Sequence, residues 1–169
     1  MAKSCCGLNN VVPASERADG ALAMTDQRTS PAPLLNGSEN VVLFDGTCKL
    51  CNGWAQFIIR HDRLRRIRLA TVQSRQGQQL LAWAGLPTDH FNTIVLITHD
   101  RFSIRSDAMF DILTRLPQPW PWLCVFRLVP AVLRDWAYDR IALNRYELFG
   151  KYDSSRAPLA DHPRRFLEE

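Results

Sequence analysis

The sequence predicts one α/β domain, a sheet with helices against it and extra helices toward the C-terminus. Short apolar runs bounded by turn residues alternate with stretches of helical period. A Cys-x-x-Cys pair stands where the first of those runs hands over to the first helical stretch. The last two apolar stretches repeat at helical spacing.

Val41-Val42-Leu43-Phe44 is a short buried strand, and Asp45-Gly46 ends it as a turn signal. A helix follows from about Cys48, because Leu50, Trp54, Phe57 and Ile58 share one face until about Arg63. Residues 67–72 suit a second strand. Residues 74–84 form a second helix, covered by Leu80, Leu81 and Trp83 and closed by Gly85 and Pro87. Residues 93–98 read as a third strand, and His99-Asp100 turns it into Phe102-Ser103-Ile104, a half-exposed hairpin partner. Ser106 is expected to cap a third helix carrying Met109, Ile112, Leu113 and Leu116. A short helix around 122–128 and a longer one over 132–149 complete the body. Leu133, Ala137, Ile141 and Leu148 define the longer helix's apolar face, and Trp120 and Trp122 are expected to pack the added helices. The order β-α-β-α-β-β-α is that of the thioredoxin-like fold in its glutaredoxin-like form, here with C-terminal helices added.

The chain has 169 residues, 46% hydrophobic and 22% charged, enough for one full core. Its net charge of +4 is too mild for a nucleic-acid binder. Residues 1–39 lack any period and end in Pro, Gly and Ser, so they read as a disordered tail; Met24 offers an alternative start. The body then spans 40–153, and 154–169 reads as a second tail. The most apolar stretch, 116–133, is broken by prolines and Arg127, which excludes a membrane span. With no apolar signal segment at the N-terminus, the expected location is a reducing cytoplasm. There a close cysteine pair is catalytic or metal-binding rather than part of a structural disulfide framework.

Cys48 falls at a helix N-terminus, where free N–H groups and the helix dipole favour a thiolate. Cys51, one turn on, can reach back to close a disulfide. Cys48 is therefore expected to attack and Cys51 to resolve. A metal-binding or metal-delivery module built on the same thiolates is the alternative, and a non-catalytic adaptor with a vestigial pair is a third. Zinc usually needs two more ligands at similar spacing, yet Cys124 is isolated and the histidines are scattered.

The run Leu43-Phe44-Asp45-Gly46-Thr47-Cys48-Lys49-Leu50-Cys51-Asn52 resembles the signature of the DCC family of thiol-disulfide oxidoreductases. The resemblance extends through Val72-Gln73-Ser74, Arg105-Ser106-Asp107-Ala108, Asn144-Arg145-Tyr146 and Phe149-Gly150. It implies a thioredoxin-like fold with Cys48 and Cys51 as redox pair and Asp45 as the third signature residue. Relatives carry a further cysteine where Ser154 and Ser155 stand here, and no proline immediately precedes the third strand.

Asp45 is either a proton acceptor for Cys51 or a turn residue. Thr47 is the expected N-cap of the Cys48 helix. Thr93, Ser106 and Asp107 are candidate substrate contacts, since in glutaredoxin-like proteins the loop before the third helix binds the carboxylate of glutathione. Ser-Asp is equally an ordinary capping sequence. The arginines between 60 and 68 read as a solvated face, and Cys124 as a buried, inert thiol. The expected partners are a protein disulfide or glutathione adduct and a thiol reductant, with no cofactor, no metal and no nucleic acid.

Overall fold

The structure, a computed structural model, describes residues 25–27, 31–37, 39–89 and 93–167. β1 (Thr25–Gln27) precedes the predicted core. β2 (Asn40–Phe44) is central, and its apolar run is continuous because both faces are covered. Val42 and Phe44 face Ile58, Leu96 and Ile112 on one side. Val41 and Leu43 face Leu80, Leu81 and Val95 on the other, as the two-residue period of a strand requires.

α1 (Lys49–His61) carries the chain over to β3 (Ile67–Thr71), which pairs in parallel with β2, Val42 beside Leu69. α2 (Arg75–Ala84) starts on Ser74, whose Oγ accepts the Gly77 N–H at 3.1 Å, and ends on left-handed Gly85. β4 (Val95–Ile97) and β5 (Arg101–Ile104) form the expected hairpin, with β4 antiparallel to β2. α3 (Arg105–Arg115), a 3-10 helix (Trp120–Leu128) and α4 (Ala131–Phe149) follow. The strand order is β1-β5-β4-β2-β3. This is a mixed α/β, thioredoxin-like fold with C-terminal helices, as the element order implied.

The predicted tails need correcting. Thr25–Gln27 pairs antiparallel with β5, the Ala32 N–H donates to His99 O at 2.8 Å, and Ala32 and Leu35 are buried. Residues 1–24 and 28–30, with Cys5, Cys6 and Met24, lie outside the described residues. At the other end Arg165 has no exposed surface; it donates to Asp62 Oδ2 at 2.8 Å and Ile67 O at 2.7 Å. Leu69 exchanges backbone hydrogen bonds with Arg165 and Leu167. Both segments are polar on average, and composition hides the few residues that anchor them to a distant strand.

Two helix readings also change. α3 begins at Arg105 with Ile104 at its cap position, so Ser106 lies inside the first turn and caps nothing. α4 turns Asp135 and Arg145 inward, while Leu133, Ile141 and Leu148 are 56%, 50% and 65% exposed. Its apolar residues run round the circumference, so period alone cannot select the buried face. Polar partners on the domain select it. Trp120 packs against Phe57 and His61, whereas Trp122 is largely exposed.

Candidate active site

Cys48 is the N-cap of α1: its Sγ accepts the Cys51 N–H at 3.3 Å. Thr47, expected at that position, turns back instead and donates from N and Oγ1 to Asp45 Oδ1 at 2.9 and 2.8 Å. The sulfur thus meets the unpaired N–H groups and positive dipole of the helix start. Hydrogen bonding from Cys51 lowers the Cys48 thiol to about 6 against the opposing effect of burial, and the charge of Arg145 assists. The same sulfur–sulfur hydrogen bond, with burial, pushes the Cys51 thiol far up. At neutral pH the pair therefore holds one thiolate, on Cys48, and one proton, on Cys51.

Asp45 organises the loop below the pair. Its Oδ1 accepts from Thr47 and from Gln73 Nε2 at 2.8 Å; its Oδ2 accepts from Arg145 at 2.9 Å and from the Tyr146 hydroxyl. Burial alone would raise this carboxyl, yet the hydrogen bonds of Tyr146, Thr47 and Gln73 outweigh it and hold it at about 2. Gln73 Oε1 accepts the Gly46 N–H at 3.1 Å, and Asn52 Nδ2 donates to Gly46 O and Cys48 O at 2.9 and 3.0 Å. The strand-to-helix turn is thereby hydrogen-bonded on both flanks. Arg145 is 3% exposed and brings a cation from α4, a hundred residues downstream, to Asp45 beside the cysteine pair.

Access to the two sulfurs differs. Cys48 has no exposed surface. Residues 150–156 strap the loop: Lys49 N–H donates to Gly150 O at 3.4 Å, Tyr152 N–H to Thr47 O at 2.8 Å and Arg156 N–H to Gly46 O at 2.9 Å. Ser155 Oγ donates to Gln73 Oε1 at 3.3 Å. Cys51 instead forms part of the wall of a cleft of about 270 Å³ between α1, the start of β4 and α4.

Of the expected substrate contacts, Thr93 lines that cleft, and its Oγ1 lies 3.1 Å from the Tyr138 hydroxyl. Ser106 and Asp107 are buried and bound to α4, so the loop before α3 is not an open anion site. Cys124 is half-buried, with Sγ 3.6 Å from Phe110 O, and burial raises its thiol. Gln73, Arg145 and Tyr146 were each present in the stretches that carry the family resemblance, but nothing local assigned them to Asp45. Asn52 was legible only as the residue after the pair. Among the described residues no cluster of three or more His, Cys, Asp or Glu side chains could hold a metal ion. No helix among them is long and apolar enough to cross a membrane.

Comparison with known proteins bears on this geometry. The chain is 42% identical over 127 residues to the uncharacterised protein YuxK of Bacillus subtilis, covering 75% of this chain and 93% of that protein. It is 41% identical over 115 residues to a DCC family protein of Arabidopsis thaliana named as chloroplastic, covering 68% of this chain and 67% of that one. No solved structure matches. Residues 42–151, from β2 to the first residues of the strap, match the DCC1-like thiol-disulfide oxidoreductase family, and the chain belongs to it.

Proposed function

We propose that the reduced pair carries out dithiol-disulfide exchange as a protein-disulfide reductase in a reducing compartment. One observation carries this reading: the Cys48 sulfur, lowered to about 6, is hydrogen-bonded by Cys51 at the head of α1 beside the Arg145 charge. The Cys48 thiolate attacks a substrate sulfur, and the departing substrate thiolate takes a proton from solvent. Cys51 then attacks the Cys48 sulfur of the mixed disulfide, its proton passing to the thiolate it expels. The Cys48–Cys51 disulfide that results is recycled by a separate thiol reductant. Asp45, ionised and bonded by four side chains and backbone groups, anchors the loop and is a poor acceptor for a thiol proton. Because the strap covers Cys48, residues 150–156 have to shift for the first attack.

A redox titration of the pair against glutathione tests the direction of electron flow. A reductase is expected at or below about −200 mV, in the range of glutaredoxins and thioredoxin. A potential near −120 mV, that of a strong thiol oxidant, overturns the reductase assignment while leaving exchange intact. Cys51→Ser should accumulate mixed disulfides on Cys48, and Cys48→Ser should form none.

A further inference from the structure

The surroundings of the pair restrict what can be bound beside it. On one flank the first turn of α3 is closed. Ser106 Oγ donates to Asp135 Oδ1 at 2.5 Å, and Arg134 Nη1 donates to Ser106 Oγ and Asp107 Oδ1, both at 3.1 Å. Two carboxylates, Asp107 and Asp135, occupy the ground where an anion would meet the helix N-terminus, and the Arg134 guanidinium there is already paired with Asp107. An arriving carboxylate finds Arg134 and Arg127 already beside Asp107, Arg105 paired with Asp139, and no open site.

On the other flank lies the cleft. Phe44, Leu50, Trp54, Ile94 and Met109 wall it from the domain, with the Cys51 side chain among them. From α4 come Tyr138, Ile141, Ala142 and Phe149. Of its polar groups, the Tyr138 hydroxyl accepts the Ile94 N–H at 3.0 Å and meets Thr93, and Arg145 is bonded to Asp45, while the buried Trp54 Nε1 has no hydrogen-bond partner among the described residues. A charged group placed here would lose its water and meet only the Arg145 cation, already paired with Asp45, whereas an apolar group gains by burial. At about 270 Å³ the space falls just short of the ~300–1,000 Å³ typical of drug-sized ligand pockets and suits one ring or branched side group.

We propose that this cleft is the substrate recess and that it selects a disulfide flanked by an uncharged, apolar group, to the exclusion of glutathione adducts. The proposal rests on the reading of Cys48 and Cys51 as an exchange pair. The apolar half sits against Cys51 and holds the substrate's S–S bond at the pair while the strap yields. The Cys48 thiolate then bonds to one substrate sulfur as that S–S bond breaks, and the first thiolate leaves and is protonated. Cys51 displaces the apolar thiol from Cys48 and gives it the Cys51 proton. The pair loses two electrons and the substrate disulfide becomes two thiols.

The test uses the reduced full chain in single turnover with two aromatic disulfides. Dithiodipyridine is uncharged; dithiobis(nitrobenzoate) carries two carboxylates. Each rate is divided by that of free N-acetylcysteine with the same reagent, which removes intrinsic reactivity. The expected result is a normalised preference of about tenfold or more for the uncharged reagent, the discrimination an apolar recess exerts against charge. Ile141→Lys places a cation at the half-exposed rim and should shrink that preference several-fold. Leu143→Lys adds the same charge on the outward face of α4 and should leave it in place. Equal normalised rates for the two reagents, or equal effects of the two lysines, overturn the proposed selectivity. Failure of both reagents to convert the two thiols to a Cys48–Cys51 disulfide overturns the exchange reading itself.

Discussion

At the scale of single residues, the Cys48 thiolate is favoured first by its hydrogen bonds with Cys51 and then by the Arg145 charge. Alkylation of the reduced protein by iodoacetamide should follow the Cys48 thiolate and reach half its maximal rate near pH 6, with Cys51 and Cys124 slower. Arg145→Gln should move that midpoint upward, toward an ordinary thiol. Arg145→Lys, which keeps the charge but loses the planar fork, should fall between. The glutamine variant also leaves the Asp45 carboxylate buried without its cation, so unfolding by urea should show a loss of about 3–5 kcal/mol. Asp45 sets an acid limit as well. Its folded pKa, about 2, lies below the unfolded value, so its contribution is full above about pH 4 and is lost as pH falls through 2. That contribution is about 2 kcal/mol, readable as the extra stability of the natural protein over Asp45→Asn above about pH 4, an advantage that shrinks as pH falls toward 2.

At the scale of elements, the strap and the active-site turn fit against each other at Gly46. A Cβ there would lie 2.2 Å from Ser155 Oγ and 3.1 Å from both Arg156 O and the Thr71 methyl. The side-chain oxygen can rotate away, but the backbone carbonyl cannot without moving the strap. Gly46→Ala should therefore loosen residues 150–156, cost about 1–3 kcal/mol, and speed modification of Cys48 by a bulky maleimide. An unchanged maleimide rate would mean that the strap is not what shields the sulfur. α4 shows the same logic in reverse. Its inward residues, Asp135 and Arg145, are polar, and they dock because Ser106 and Asp45 receive them.

At the scale of the whole molecule, segments far apart in sequence close the fold around the sheet. β1 extends it at the β5 edge, and Phe166 bridges to Leu69 at the opposite edge. A chain beginning at residue 37 loses β1 and the buried Ala32 and Leu35, and should melt several degrees below one beginning at residue 25. Arg165→Ala removes the partner of Asp62, which is 1% exposed, and should cost about 3–5 kcal/mol with no change in the alkylation midpoint of Cys48. That separation of stability from reactivity distinguishes Arg165 from Arg145, the two buried arginines among the described residues.

The core elements and the placing of the cysteine pair at the head of α1 follow from the sequence because their signals are local. A strand's apolar run, the Asp45-Gly46 turn, Ser74 and Gly85 at the ends of α2, and two cysteines one turn apart act within a few residues of chain. Everything that depends on long-range pairing was decided by the tertiary structure. Thr47 gave way to Cys48 as N-cap because Asp45, held by Gln73 and α4, draws the threonine back. The polar face of α4 turned inward because buried charges dock only where partners wait, and those partners lie 29 and 100 residues earlier. The closed anion site and the apolar cleft are consequences of that docking, and the strap over the active-site turn of a second long-range pairing, neither of which any window of sequence contains.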